Sequence, residues 1–300
     1  MRREPDYETG RFFVSPLLGC NARCSFCYIY SDGYGTKASF NEFCIADTIH
    51  YLRSHTQFRP GRNGSIISIG AWGDPLPRYN KEACRHSLHW LSELVKLQNP
   101  IQIMSRYELS DETIDKIASC NKYPAHILYS TSVSTFRFHR DIEPYSDSPE
   151  LRLKSLEKVS KKGISTNVMV KPFLSSVTGS ETNNFIDMFN KYGVEYCVIG
   201  DLLLDKKIAL KLNQLDKIPI KVEASGSKQV LDCTSGREYD MNSSNEILEF
   251  SATLEKFGIK AFKKSSCVNS YILNKPNPAN YINNDPHGYC INCGVCEQTE

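Results

Sequence analysis

Short β-rich runs alternate with longer segments of helical period over the first two thirds of this 300-residue chain. The predicted strands cover residues 11–18, 65–70, 101–105, 126–134, 164–172 and 194–200. The predicted helices between them cover residues 40–54, 81–97, 110–119, 148–162 and 181–192. Because strands that alternate with helices form a parallel sheet, we predict an α/β protein with a partial (β/α)6 TIM-like barrel. Chemistry in such a barrel takes place at the carboxyl ends of the strands.

The charge balance and the first residues of the chain bear on its partners and its compartment. Lys and Arg number 36 against 34 Asp and Glu, so the net charge of +2 gives no electrostatic argument for a nucleic-acid or membrane surface. Residues 1–8 lack the apolar run of roughly 7–15 residues of a secretion signal. We therefore expect a cytoplasmic protein without a membrane partner, in which the twelve cysteines are reduced and their clusters form metal or redox sites.

The first cysteine cluster follows directly after the first predicted strand. Cys20, Cys24 and Cys27 have the spacing C-x3-C-x2-C within one loop. A structural zinc site closes with four ligands, whereas three thiolates on a [4Fe–4S] cluster leave one iron open for a substrate or cofactor. The spacing at a strand end favours the open cluster, and a zinc loop completed by a distant residue is the alternative.

This loop resembles the signature of the radical S-adenosylmethionine enzymes, which have a (β/α)6 partial barrel. The resemblance implies that the open iron chelates the methionine moiety and that one electron cleaves the sulfonium to a 5′-deoxyadenosyl radical. The cofactor would perform the difficult chemistry, and the protein would position it. By the same resemblance Phe26 lies near the adenine. An electron donor such as flavodoxin or ferredoxin is also implied.

Motifs at later strand ends resemble the spore photoproduct lyase-like branch of this superfamily. After the second strand, Gly73 and Asp74 match a loop that receives the methionine amino group. After the third, Arg106 stands where the branch usually has Lys, and its fork suits a carboxylate. On the fourth strand, Ser130 and Ser132 are placed to contact the ribose.

Two further motifs extend the resemblance to the fifth strand. Glu143 and Arg152 belong to a segment similar to E-P-x(3–4)-S-P-x-x-R, and Lys171 lies in Val-Lys-Pro-Phe at the end of strand five. Each motif alone is typical of a turn or a helix start. Their order at successive strand ends favours S-adenosylmethionine binding, and the resemblance covers about residues 13–204.

One departure from the branch concerns the hydrogen-atom donor. Spore photoproduct lyase has a cysteine in the loop after strand two, where this sequence has Ala71. Cys84 follows in the next helix, and we interpret it as a small buried side chain rather than as an alternative donor. The DNA-repair activity is therefore not carried over from the resemblance.

A second cysteine cluster lies near residue 300. Cys290, Cys293 and Cys296 have the spacing C-x2-C-x2-C of the bacterial ferredoxin run, and Glu300 stands where that run has its fourth cysteine. We predict Cys267 as the fourth ligand of a second, auxiliary [4Fe–4S] cluster. Cys233 is the reserve ligand, and a four-thiolate zinc knuckle is the alternative site.

These features predict two regions and one leading function. A radical S-adenosylmethionine barrel covers residues 1–217, and an auxiliary-cluster region over the barrel mouth covers residues 218–300, with its clearest helix at 245–257. The leading substrate is a peptide or small natural product, with the auxiliary cluster in electron transfer or substrate binding. One alternative is modification or repair of a nucleic-acid base or photolesion. The other is a non-catalytic iron–sulfur or zinc-binding interaction protein.

Overall fold

The structure is a computed structural model, which describes residues 1–8, 10–220, 222, 238–239, 243–279, 290 and 293–296. The strands are Asp6–Glu8 (β1), Arg11–Val14 (β2), Leu17–Leu18 (β3), Ser39–Phe40 (β4), Ile66–Ile69 (β5), Ile101–Ser105 (β6), Ile127–Ser132 (β7), Ser165–Val170 (β8), Tyr196–Ile199 (β9), Leu203–Leu204 (β10), Glu238–Tyr239 (β11) and Lys260–Phe262 (β12). The α-helices are Ile45–Ser54 (α1), Lys81–Leu94 (α2), Asp111–Cys120 (α3), His139–Ile142 (α4), Pro149–Lys161 (α5), Thr182–Lys191 (α6), Lys206–Asn213 (α7), Ser244–Lys256 (α8) and Ser265–Leu273 (α9).

The main sheet has eight strands in the order β1-β2-β5-β6-β7-β8-β9-β12. Every neighbouring pair is parallel except β1 with β2, which form an antiparallel hairpin. The predicted α/β class with a partial barrel is therefore confirmed. Because the parallel strands run in one direction, the loops after β2, β5, β6, β7 and β8 meet at one end of the barrel, the mouth.

Two strands beyond the six predicted ones extend the sheet at its edges. β12 pairs with β9, so Phe262 lies opposite Val198. Lys264, just after β12, reaches across to β1, where its Nζ lies 3.2 Å from Oε1 of Glu8. The sheet thus continues past the predicted boundary at residue 217, which itself stays a prediction.

The helices cover the outer face of the sheet and form the main core with it. Ile67, Ile103 and Val168 point outward from their strands and are fully or almost fully buried. Burial of each side chain of this size contributes about 1.5–3 kcal/mol. The helix predicted from Ser-Pro-Glu begins as expected, because the Ser148 hydroxyl accepts the backbone N–H of Leu151 at 3.4 Å.

Helix α9 packs instead on the inner face of the sheet, where Val268 contacts Leu128 and Val198. The side chain of Asn269 bonds Nε2 of Gln102 at 2.7 Å, near the start of β6, and donates to a carbonyl just before β7. These contacts place α9 toward the amino ends of the strands. No helix in the described ranges is both long and apolar enough to cross a membrane.

Candidate functional site

The loop that carries the first three cysteines begins at the mouth, directly after β3. Cys20 and Cys24 are buried and Cys27 is partly buried, and all three pack in one cluster with Phe26. Gly19 opens the loop at a φ of +85°, where an added Cβ would lie 2.6 Å from the carbonyl oxygen of residue 37. The turn into the loop therefore requires glycine.

The environment of the thiols sets their protonation. Burial raises the pKa of Cys20 to about 12, and the nearby Asp74 carboxylate acts in the same direction. Burial also raises the pKa of Cys24, which the Arg106 guanidinium opposes. Binding of iron must therefore displace protons from these thiols.

The three cysteines of this loop fit an iron–sulfur cluster. They lie close together beside the Arg106 guanidinium and the Phe26 ring. Three thiolates from one loop would leave one iron of a [4Fe–4S] cluster open.

The loop after β5 packs against the start of the cysteine loop. The N–H of Gly19 donates to the Trp72 carbonyl at 2.8 Å. An added Cβ on Gly73 would lie 2.6 Å from the Gly19 carbonyl oxygen and 3.0 Å from that of Leu17. Gly73 is therefore required for this close approach of two backbones. Asp74 accepts the Ser105 hydroxyl at 2.8 Å, and burial raises its pKa.

Arg106 brings four of the predicted residues together at the mouth. Its guanidinium forms an ion pair with Glu143 and donates to the Lys171 carbonyl at 3.1 Å. It also lies over the Phe26 ring, with its Cζ 5.1 Å from the ring centroid. A guanidinium has five N–H donors, so these two partners leave donors for a carboxylate at the same place.

Arg152 lies below this group, and its side chain is fully buried. It forms an ion pair with Glu143 and donates from Nη1 to the Ser132 carbonyl at 2.6 Å. Burial alone would raise the pKa of Glu143, but the two arginines Arg106 and Arg152 lower it. Glu143 and Arg152 thus hold Arg106 from within the protein, and Arg152 does not open onto the mouth.

The two predicted ribose-contact serines lie on β7 and bond to the neighbouring strand. The Ser130 hydroxyl donates to Oδ1 of Asn167 at 2.7 Å, and the Ser132 hydroxyl donates to the Lys171 carbonyl at 2.8 Å. Both hydroxyls therefore donate their hydrogen bonds to other groups of the protein. They keep lone pairs that can accept a hydrogen bond.

Lys171 extends from the end of β8 into the barrel. Its side chain crosses Gly200, where an added Cβ would lie 2.2 Å from Cε of Lys171. Burial lowers the pKa of Lys171 to about 7, and the cations Lys263, Arg11 and Lys264 act in the same direction. The interior below the mouth therefore has an excess of positive charge, which Asp201 offsets only in part through its pair with Lys263 at 3.1 Å.

Three aromatic residues that line the cysteine loop were not among the predicted site residues. The Tyr28 hydroxyl donates to the Ala71 carbonyl at 2.8 Å, and the Tyr30 hydroxyl donates to the Cys20 carbonyl at 2.7 Å. The ring centroids of Tyr28 and Trp72 lie 5.6 Å apart. For Tyr28, its position directly after the third cysteine could have indicated that it lies at the site.

The second set of cysteines also comes together. Cys267, Cys290, Cys293 and Cys296 line one small cavity. Cys233, the reserve ligand, lies outside the described residues. The donor set therefore fits a cluster with four thiolate ligands.

The segment after α9 extends from this cavity toward β2. Asn277, which bonds the Cys267 thiol, is followed by Pro278, and Pro278 packs against Gly10 at the amino end of β2. The position of these cysteines over the mouth stays a prediction.

Cys84 packs between the helices and the sheet. It is on α2, on the outer side of the sheet, with its Sγ 3.7 Å from the Thr113 hydroxyl. It packs against the main core between helices and sheet. Its place agrees with the interpretation as a partly buried small side chain.

Comparison of sequences finds distant relatives of this chain. No family model matches the chain. Proteins of Mycobacterium tuberculosis and Mycobacterium bovis, both described as uncharacterized, are 24% identical over 179 residues, which is 57% of this chain and 52% of theirs. The chain thus spans about half the length of the curated relatives it matches. The fold and the cysteine loop together define the class as a partial α/β barrel with a cluster-type thiol loop at its mouth.

Comparison with solved structures shows which known protein has a similar fold. Spore photoproduct lyase with a dinucleoside spore photoproduct superposes with a TM-score of 0.61 at 13% identity, over 87% of this chain and 79% of that one. A variant of the same lyase with bound AdoMet and the dinucleoside gives 0.60 at 14% identity, over 83% and 75%. The resemblance to the spore photoproduct lyase-like branch of the radical S-adenosylmethionine enzymes is therefore confirmed in the fold.

Proposed function

We propose that this chain is a radical S-adenosylmethionine enzyme. The observation that carries the proposal is the packing of Cys20, Cys24 and Cys27 in one cluster at the mouth of a parallel partial barrel. When bound, the cluster supplies one electron that cleaves S-adenosylmethionine to a 5′-deoxyadenosyl radical, which takes a hydrogen atom from the substrate. The contribution of the protein is to bind and orient these groups.

The residues around the loop receive separate roles in this proposal. Phe26 borders the adenine, and Arg106 pairs with the methionine carboxylate through donors that Glu143 leaves available. Gly73 brings the loop after β5 close to the cysteine loop, and the chain around Asp74 receives the amino group. Ser130, Ser132 and Lys171 border the remaining part of the cofactor, while Glu143 and Arg152 act by holding Arg106.

The second group of thiols binds an auxiliary [4Fe–4S] cluster in this proposal. Four protein thiolates would complete its coordination, so the cluster would have no open iron for a substrate. The lack of an open iron favours electron transfer over substrate binding.

Anaerobic reconstitution with iron and sulfide tests both assignments. We expect about eight irons per chain and 5′-deoxyadenosine after reduction with dithionite. The Cys24→Ser variant should lose about four irons and all nucleoside product, whereas Cys44→Ser, at an exposed helix start, should retain both. Full nucleoside yield from Cys24→Ser would refute the proposal.

A second pair of variants tests the auxiliary ligands. Cys267→Ser should lose iron from the auxiliary site and keep the other cluster, and Cys233→Ser should lose none. The opposite result would assign the ligand to Cys233. Zinc in place of iron at both sites, with no nucleoside product, would favour the interaction protein.

The substrate we propose is a peptide or small natural product, acted on in the reducing cytoplasm with flavodoxin or ferredoxin as electron donor. The absence of a thiol at Ala71 supports this choice over lesion repair. The solved lyase binds a dinucleoside photoproduct, so a nucleic-acid substrate is the second candidate. Tight, salt-sensitive binding of oligonucleotides to the reconstituted protein would favour it. Transfer of a hydrogen atom from a precursor peptide to 5′-deoxyadenosine would exclude it.

A further inference from the structure

A buried asparagine joins two of the thiols in the second cysteine cavity. Asn277 follows α9, and only 1% of its surface is exposed. Its side-chain Nδ2 donates to the Sγ of Cys267 at 3.2 Å, and its backbone N–H donates to the Sγ of Cys296 at 3.4 Å. One residue thus contacts thiols that lie 29 positions apart in the sequence.

The orientation of the Asn277 amide follows from its other contacts. Its Oδ1 accepts the backbone N–H of Ala279 at 3.0 Å, so the oxygen must face that donor. Nδ2 therefore faces the Cys267 thiol and also donates to the Ser266 hydroxyl at 3.0 Å. Since the amide has no second orientation that satisfies these partners, the N–H···S contact is fixed by the surrounding backbone.

A donor held against a thiolate has two effects at an iron–sulfur site. It keeps the ligand in place, and it stabilises negative charge on the sulfur. Extra negative charge is gained on reduction, so hydrogen bonds to the sulfurs raise the reduction potential of a cluster. Both effects are lost when the donor is removed.

We propose that Asn277 is a positioning residue of the auxiliary site, which holds Cys267 and Cys296 in place as ligands and raises the reduction potential of the cluster they bind. This inference rests on the proposed function of the site. It adds a residue outside the cysteine motifs, and it makes the short segment after α9 part of the electron-transfer apparatus.

The test measures the auxiliary cluster alone, in a Cys24→Ser background that lacks the other cluster. Wild-type Asn277 in this background should hold about four irons per chain. The midpoint potential is then measured by electron paramagnetic resonance during a redox titration. Asn277→Leu has nearly the same size and lacks the side-chain donor, so we expect a more negative midpoint potential.

Ser266→Ala is the matched control, because it removes a hydrogen bond of Asn277 without touching a thiol. Its midpoint potential should equal that of the background protein. Asn277→Asp is a second variant of the same shape, in which a carboxylate oxygen replaces the donor and repels the thiolate. It should lose at least half of the bound iron, while its apo form should melt at the same temperature as that of the background.

The outcomes separate the two proposals. If the background protein binds no iron, the auxiliary site itself is wrong. If it binds iron, and Asn277→Leu and Asn277→Asp change neither the potential nor the iron content, the role of Asn277 is overturned and the site stands. A shift of equal size in Ser266→Ala would also overturn it, because the effect would then arise from the segment and not from the N–H···S bond.

Discussion

The carboxylate of Asp74 accepts the backbone N–H of Arg106 at 2.7 Å, which ties the loop after β5 to the end of β6. The same carboxylate accepts the Ser105 hydroxyl and the N–H of Leu76, so both of its oxygens are occupied. The placement of Arg106 over Phe26 therefore depends on a residue in the neighbouring loop. The side chains at the mouth are therefore positioned by contacts between neighbouring strand ends, and the motif that contains a residue does not fix its position alone.

Replacement of Asp74 by asparagine should weaken this tie. An amide offers one acceptor oxygen, so its NH2 group must face one of the donors and a buried hydrogen bond is lost. We expect Asp74→Asn to lower the free energy of unfolding by about 1–3 kcal/mol in urea titrations. Asp115→Asn, at an exposed ion pair with Lys162, is the control and should show no measurable change. Equal stability of both variants would contradict the proposed tie.

A methyl group at Gly73 should separate the two mouth loops. The backbone carbonyls of Gly19 and Leu17 leave no space for a Cβ, whereas a Cβ on Gly35 would lie 3.9 Å from its nearest neighbours. We therefore expect Gly73→Ala to lose at least tenfold in S-adenosylmethionine affinity, measured by equilibrium binding to the reconstituted protein. Gly35→Ala in the same region should bind as the wild type does. Normal affinity in Gly73→Ala would mean that the loops do not need this close approach.

The buried ion pairs of Glu143 predict a large effect on stability. Glu143→Gln leaves Arg106 and Arg152 without a counter-charge inside the protein. We expect a loss of about 3–5 kcal/mol, read from chemical denaturation. Glu150→Gln removes an exposed pair with Lys191 and should leave the denaturation midpoint unchanged. A small effect at Glu143 would show that the arginines find other partners.

His126 predicts a dependence of stability on pH. Burial lowers the pKa of this residue to about 4, whereas histidine in an unfolded chain titrates near 6.5. Between these values the unfolded chain binds the extra proton, so stability rises with pH and is lost as the pH falls. From pH 6.5 to pH 5 the loss from His126 should be about 1.6 kcal/mol.

The His126→Gln variant isolates this contribution. Its free energy of unfolding should fall less between pH 7 and pH 5 than that of the wild type, when both are measured in guanidinium chloride at each pH. His50→Gln changes an exposed histidine and should keep the wild-type profile. Parallel profiles for wild type and His126→Gln would exclude His126 as the source.

Sequence patterns predicted the alternating strands and helices of the barrel, because each of these elements has its own pattern of apolar residues. β6 covers the same residues, Ile101–Ser105, that the pattern indicated. The strands at the sheet edges escaped prediction for a physical reason. β1 and β12 have three residues each and include charged side chains, so their place depends on partners distant in the sequence.

The site was predictable to a similar degree. The spacing of Cys20, Cys24 and Cys27 is local and needs no structure to be noticed. The ion pair of Arg106 with Glu143 joins different strand ends, and no spacing rule reveals it. The position of Cys267 inside the barrel depends on α9 packing against the inner face of the sheet, which amphipathic period alone does not distinguish from the outer face.

The contact between Glu8 and Lys264 also bears on the order in which the chain can fold. It joins residues 256 positions apart and brings the two edges of the sheet together. At a synthesis rate of about 5–20 residues per second, the β1–β2 hairpin waits roughly 13–50 s on the ribosome for this partner. During that interval the edge of β1 has no contact with β12 or α9. Completion of the barrel must therefore follow the synthesis of β12 and is a late step in folding.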